Sequence, residues 1–215
     1  MTVWFASGNI HKKKELQDIL SGETVGFNLK IPADAGLAFG PDETGSTFIE
    51  NALIKAEALY SLLSNGSTNN AWRPGDPVIA DDSGICVDAL GGRPGVHSAI
   101  YGAPEIKLDT GRNALLLSEL GDNPLRTARF VCAMVLYYGP NSFFIAQESM
   151  EGELVSNVEA ARGCGGFGYD PILYIPQLGR TVAELTTEEK NRLSHRGKAG
   201  KAIANILFCE RPAKS

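Results

Sequence analysis

No apolar run in this chain approaches the roughly 20 residues that a membrane-crossing helix needs. The N-terminus is apolar first (Val3-Trp4-Phe5-Ala6) and basic second (Lys12-Lys13-Lys14). That is the reverse of a secretory signal, so a cytoplasmic protein with no membrane partner is expected. Cysteines are sparse and scattered, at Cys86, Cys132, Cys164 and Cys209, with no CxxC pair. Neither a zinc site nor a disulfide framework is indicated, and Cys86 and Cys132, set in apolar runs, read as core packing. Basic charge is not in excess: 20 Lys and Arg stand against 25 Asp and Glu, a net charge of −5. A general coat for a nucleic-acid polymer is thereby excluded, although local basic groups can still serve a small anion. There is no internal repeat and no Walker A loop, which would need a longer glycine run ending in Gly-Lys-Ser/Thr. At 215 residues and 43% hydrophobic content, the chain suits one domain, residues 1–215, with room for two lobes.

What is present centres on Val78-Ile79-Ala80-Asp81-Asp82-Ser83-Gly84. A short apolar strand is expected to drive into two adjacent carboxylates. Paired acids at the end of a buried strand are costly unless a cation, a proton or donors compensate them. The pair also reads as a simple turn. Ile85-Cys86-Val87 continues extended, and the Gly91 to Gly95 cluster is either a backbone held against a ligand or an ordinary reversal. His97 has no nucleophile near it in sequence and reads as a surface or satisfied core histidine.

Around that centre the chain reads as alternating strands and helices. Val3 to Ala6 is a buried strand, Ser7-Gly8-Asn9 a turn, and a helix runs on to Leu20 with Leu16, Ile19 and Leu20 inward. Such a turn aims backbone N–H groups at an anion, with Lys12 in reach; equally, it is a plain Asn-capped helix with solvated lysines. Thr47 and Glu50 have capping-box spacing before a second helix, with Ile49, Leu53, Ala56 and Leu63 as its packed stripe. Asn51 and Lys55 share another face, solvated or turned to a cleft, and Glu43 on the preceding loop reads alone as a surface acid. The one low-complexity stretch, Ser61 to Pro77, is expected as a loop. Thr110 to Leu120 reads as a helix with Leu115, Leu116 and Leu117 inward. Arg129 to Tyr138 and Phe143 to Glu148 read as a hairpin with a loop of about four to five residues. Phe167 and Tyr169 sit among glycines between Gly163 and Pro171, as anchors of a flexible loop or as walls for a planar base. Thr186 and Glu189 repeat the capping-box spacing, and Ser194-His195-Arg196-Gly197 interrupts the helical period that follows. Lys190, His195 and Arg196 form either a site or a solvated basic face.

The set and its order carry more than any member. Ser7-Gly8-Asn9-Ile10-His11-Lys12-Lys13-Lys14-Glu15 resembles the T/S-G-N-x-x-K-x-x-E start of the inosine triphosphate pyrophosphatase family. Glu43 to Ala52, Asp81-Asp82-Ser83-Gly84 through Pro94-Gly95, Gly166 to Pro171, and Leu185 through Gly197 resemble its four later blocks, in order. The match spans nearly the whole chain. Three departures stand out: Ser7 where threonine is common, a long Ser61–Pro77 loop, and Ile100 where the family pattern has arginine.

The resemblance implies an α/β fold, elongated and two-lobed, with a central mixed sheet flanked by helices and a cleft between lobes. It implies Mg²⁺, a homodimer, and hydrolysis of dITP, ITP and XTP to monophosphate and pyrophosphate. By the same carry-over, Asp82 is the general base and a metal ligand, with Glu43 and Asp81 as further metal-side acids. Ser7, Gly8, Asn9, Ile10, His11, Lys12 and Lys55 hold phosphate, and Ser83 touches substrate. Phe167, Gly168, Tyr169, Asp170, Lys190, His195 and Arg196 hold the base and its surroundings. Two other functions compete: a pyrophosphatase for dTTP or modified pyrimidine nucleotides, and a nucleotide sensor that binds without turnover.

Overall fold

A computed structural model describes residues 1–23, 26–65 and 72–209. The elements are β1 (Thr2–Phe5), α1 (Ile10–Glu23), β2 (Asn28–Lys30), α2 (Phe48–Ser64), β3 (Val78–Val87), α3 (Asp109–Leu120), β4 (Thr127–Gly139), β5 (Ser142–Leu154), β6 (Leu173–Ile175), β7 (Arg180–Thr181), α4 (Thr187–Leu193) and α5 (His195–Cys209). The strands form one sheet in the order β2-β1-β3-β4-β5-β6-β7. β1 pairs in parallel with β2 and with β3, placing Phe5 opposite Ile79, whereas β6 pairs antiparallel with β5 and β7. The sheet is therefore mixed and open, as the α/β expectation had it. Among the described residues no helix is long and apolar enough to cross a membrane.

The chain gathers into two compact units. The first comprises Met1–Asp82, Cys132–Glu148 and Arg196–Ser215. Val3 and Phe5 of β1, Ile79 of β3 and Cys132, Met134 and Leu136 of β4 bury one sheet face here. Leu16 and Leu20 of α1 cover it, together with Ala199, Ile203 and Leu207 of α5. The alternation of β-strand side chains sends Trp4, Val78 and Ala80 to the opposite face. Cys132 is core packing as expected, and burial pushes its thiol up to about 12. The second unit comprises Ser83–Val131 and Ser149–His195. Its core joins Leu116, Leu117 and Leu120 of α3 to Ile85, Phe130, Met150, Leu154 and Ile172.

Five expectations are corrected. β3 is one ten-residue strand, so the acid pair lies inside a strand and not at its end. The pairing of β3 with β4 continues it past the point where β1 stops. The hairpin turn is two residues, Pro140 and Asn141, because Asn141 takes a left-handed φ of 62° and lets the strands run longer. In α2 the packed stripe is Phe48, Ala52, Ala56, Leu59 and Leu63, while Ile49 and Leu53 are half-buried. The helix is rotated so that Asn51 and Lys55 are buried too. Cys86, expected in the core, is half-buried. The loop expected over Ser61–Pro77 begins later, since α2 runs to Ser64, and its residues 66–71 lie outside the described ones.

β3 runs close to its neighbours just beyond the acid pair. A Cβ added at Gly84 would come 2.3 Å from the Gly95 carbonyl oxygen and 2.4 Å from Ser98 Oγ. That hydroxyl already accepts the Ile85 N–H at 2.9 Å and donates to the Gly95 carbonyl at 2.6 Å. Gly84→Ala should therefore cost about 1–3 kcal/mol through overpacking. Urea denaturation measures it, and an unchanged midpoint would mean the strand yields without cost.

Candidate functional site

In the first unit, β1 leads through α1 to β2 on one side, while β3 lies on its other side. Chain segments that diverge in this way leave room for ligands beyond the carboxyl ends of the parallel strands. Ser7, Gly8 and Asn9 follow β1 there, beside the stretch of β3 that carries the acids. Successive residues of a strand point to opposite faces. Asp81 and Asp82, adjacent in sequence, therefore enter different surroundings.

Asp81 faces α1 and α5. Lys12 Nζ lies 3.1 Å from its Oδ1 and 3.0 Å from its Oδ2. Arg196 donates to Oδ2 through Nε at 3.3 Å and Nη2 at 3.2 Å. The same guanidinium donates through Nη1 to Glu15 Oε2 at 2.6 Å, which ties α1 to α5. Burial alone would raise the Asp81 carboxyl; Lys12, Arg196 and Lys55 outweigh it and hold it well below the usual carboxylate range. Burial would likewise lower Arg196, and Asp81 with Glu15 keeps it above its ordinary value.

Asp82 faces α2. Its Oδ1 accepts from Lys55 Nζ at 2.9 Å. Among the described residues its Oδ2 meets only the Asn51 amide, at 3.4 Å. Burial raises this carboxyl above its ordinary value, with Lys55 and Lys12 opposing and Glu43 adding to the rise. Lys55 also reaches Glu43 Oε2 at 3.0 Å, so one ammonium bridges two carboxylates. Burial works against the charge on Lys55, but Asp81, Asp82 and Glu43 raise it. Asn51 Oδ1 accepts the Gly45 N–H at 2.8 Å, so this side chain ties the Glu43 loop to Asp82. The loop enters α2 through the capping box read from the sequence, Thr47 with Glu50.

At the start of α1 the chain adopts the capped alternative. Asn9 Oδ1 accepts the N–H groups of His11 at 2.9 Å and Lys12 at 3.2 Å, and Ser7 Oγ accepts that of Asn9 at 3.1 Å. Ile10 is exposed. Of the expected phosphate contacts, Lys12 and Lys55 thus stand beside the acids. The N–H groups of Asn9, His11 and Lys12 are taken up locally.

In the second unit the structure brings together Phe167, Asp170 and Lys190. Asp170 Oδ2 accepts from the Phe167 N–H at 2.8 Å and from Lys190 Nζ at 2.7 Å. The Lys190 ammonium lies 5.0 Å from the centre of the half-buried Phe167 ring. Lys190 is placed by α4, which starts at the Thr186–Glu189 capping box. A Cβ on Gly166 would meet Asp170 Oδ2 at 1.9 Å, so only glycine lets the loop close on this carboxylate. Tyr169 is buried and donates to the Ser98 carbonyl at 2.8 Å, a scaffold contact. His195 is buried and stacks on Phe130 at 4.8 Å between ring centres. The expected break in helical period is Ser194, with ψ of 159°, between α4 and α5.

Two residues in these networks were not singled out as site residues by their sequence position: Glu15 and Asn51. Glu15 stands inside the first motif, and Asn51 precedes Lys55 by one helical turn, so each carried a signal. Among the described residues no group of three or more His, Cys, Asp or Glu side chains forms a metal set. Glu43 and Asp82 nevertheless converge on one cation, the Lys55 ammonium. Two hard carboxylates of this kind fit a divalent ion that keeps water and phosphate in its remaining positions. Asp81, with both oxygens engaged by Lys12 and Arg196, does not share that geometry.

A family model described as the Ham1 family matches residues 3–206. A dITP/XTP pyrophosphatase of Treponema denticola is 46% identical over 96% of this chain and 98% of its own length. One from Thermus thermophilus is 44% identical over 94% of this chain and 90% of its own. Among solved structures, the Staphylococcus aureus Ham1 protein superposes with a TM-score of 0.79 at 33% identity, covering 98% of this chain and all of that one.

The fixed state of Asp81 has a stability consequence. Its carboxyl titrates lower in the folded chain than the ordinary value of about 3.9. Its ionisation therefore stabilises the fold above that value, and the contribution is lost as pH falls through the lower folded value. Asp81→Asn strands Lys12 and Arg196 and should cost about 3–5 kcal/mol at pH 7. The deficit should narrow below about pH 4. Denaturation at pH 7 and pH 3 checks both; equal stability at pH 7 would refute the ion-pair account.

Proposed function

This chain belongs to the Ham1 family, and on that premise we propose that it hydrolyses non-standard purine nucleoside triphosphates, dITP, ITP and XTP, to monophosphate and pyrophosphate. The relatives named above carry the first and last of these substrates in their names. The observation that carries the reading is the division of the acid pair: inside one strand, Asp81 is paired with Lys12 and Arg196, while the neighbouring Asp82 meets Lys55 and a long contact to the Asn51 amide. Asp82 is the general base. Its Oδ1 is engaged by Lys55, and its Oδ2 by a long amide contact alone among the described residues, which suits that oxygen to orienting and deprotonating a water. Asp81 is the fixed anion that holds Lys12 and Arg196 in place.

Cleavage between the α and β phosphorus atoms needs an oriented water and neutralised phosphate charge. Lys55, bridging Asp82 and Glu43, can shift its ammonium from these carboxylates to an arriving phosphate oxygen. Lys12 stands on the other side of β3 as a second cation. Mg²⁺ held by Glu43 and Asp82 would neutralise the phosphates and polarise the leaving pyrophosphate. On the family resemblance, the Phe167 ring would stack on the base, and Lys190, Asp170 and His195 would supply polar contacts to its edge. Donors aimed at O6 would favour a 6-oxo purine over adenine, whose amino group would face donor against donor. Arg196 is given to the Asp81 scaffold more than to the base, since three of its N–H groups serve Asp81 and Glu15. A homodimer in the cytoplasm completes the reading, on the family resemblance.

Released pyrophosphate measured across dITP, XTP, dATP, dGTP and dTTP tests the function. Preference for dITP and XTP is expected, and turnover of dATP or dTTP at the dITP rate would sink it. Asp82→Asn should lower kcat by at least about 100-fold while the far-UV circular dichroism stays native. A near-normal rate would remove Asp82 as the base.

A further inference from the structure

The loop that presents Phe167 is gripped from behind by the first turns of α3. Asp109 Oδ2 accepts the Gly168 N–H at 2.7 Å, and Asn113 Nδ2 donates to the Gly168 carbonyl at 3.2 Å. Both polar groups of one loop residue are thus held by side chains at i and i+4 of one helix, which share a face. Gly168 sits at a φ of 64°, so its N–H and C=O are turned by a conformation that other residues rarely take. Arg112 pairs with Asp109 and fixes that carboxylate in turn. Asp170 holds the Phe167 N–H. Phe167 therefore has both its own N–H and the peptide that follows it held by carboxylates.

Asn113 shows a cost of this grip. It is 7% exposed, and its Oδ1 is buried with no hydrogen-bond partner among the described residues. A buried acceptor left unmade is unfavourable, and leucine would fill the same space without it. What the amide supplies that leucine cannot is the Nδ2 donor to Gly168. Core packing of α3 is already provided by Leu116, Leu117 and Leu120.

We propose that Asp109 and Asn113 are specificity-determining positioning residues, which set the plane of the Phe167 ring against the purine and so the discrimination among bases. The proposal rests on the reading that this loop receives the base. Neither residue need touch the substrate, so their effect runs through ring position: binding of the base suffers and the chemical step does not. Aromatic stacking depends on offset and tilt, so a ring free to tilt loses part of its preference between purines.

The test compares the native chain with Asn113→Leu, Asp109→Ala and Asp109→Asn in steady-state kinetics on dITP and dGTP, and in calorimetric binding of IMP. Asn113→Leu removes the donor and the orphaned acceptor together, so its unfolding midpoint should hold. A lost neutral hydrogen bond corresponds to about a five- to tenfold effect. KM for dITP and the IMP dissociation constant should rise by about that much, with kcat within about twofold and dITP-over-dGTP selectivity reduced. Asp109→Ala should act in the same direction, and Asp109→Asn, which keeps an acceptor for Gly168, should recover most of the loss. Unchanged KM and selectivity in a folded Asn113→Leu would overturn the proposal, as would a fall in kcat alone. Should the native chain release no pyrophosphate from dITP, the proposed function fails, yet weaker IMP binding in Asn113→Leu would still support the grip. Equal IMP binding, or none in either protein, would end it.

Discussion

Two carboxylates side by side in a buried strand repel each other and lose their water, so the surrounding fold must compensate both. The alternation of strand side chains makes this possible. It sends Asp81 toward α1 and α5, where Lys12 and Arg196 meet it, and Asp82 toward α2, where Lys55 meets it. Each helix of the first unit delivers one cation to this strand, and each also covers apolar surface of the sheet or its own buried stripe. The parallel order β2-β1-β3 is what lets crossovers place helices on both faces. The acid pair and the layered architecture are therefore one constraint seen at two scales.

That separation lets identical side chains do different work. A buried ion pair contributes little net stability over a well-packed apolar alternative, because desolvation offsets most of the attraction. The network around Asp81 is better understood as positioning: it pins the first turn of α1 to the first turn of α5 and leaves the carboxylate fully ionised. Across the strand Asp82 has one ammonium and a long amide contact, so its proton is held less firmly away. Environment, not residue type, sets the two carboxylates apart.

The sequence made some of this legible and hid the rest for identifiable reasons. Capping boxes were readable because their donors and acceptors lie three residues apart, and both Thr47–Glu50 and Thr186–Glu189 form. The apolar face of α1 followed from period alone: Leu16, Ile19 and Leu20 are all buried. The burial of Asn51 and Lys55 was not readable from α2, because apolar periodicity cannot anticipate a carboxylate arriving from residue 82. The position of the acids inside β3 was missed because Ser83 and Gly84 are poor strand formers; pairing with a neighbouring strand overrode local preference. The site residues arrived in motif order, yet Arg196 belongs with Asp81, at a sequence separation of 115, which no local pattern encodes.

The same device recurs in both units. In α2, Asn51 and Lys55 stand at i and i+4 and hold the two oxygens of Asp82. In α3, Asp109 and Asn113 stand at i and i+4 and hold the two polar groups of Gly168. A helix offers such a pair on one face at fixed separation, with its own backbone bonds complete, so the grip costs no loop order. Loops carry the ligand-facing groups in many proteins because they can approach closely, but they lack rigidity by themselves. Backing a loop or strand segment with a helical pair supplies the rigidity that placement to a fraction of an ångström demands. On this logic the residues that tune such a site need not be those that touch its ligand. They are the polar side chains on the buried faces of α2 and α3, where an apolar residue would have packed at least as well.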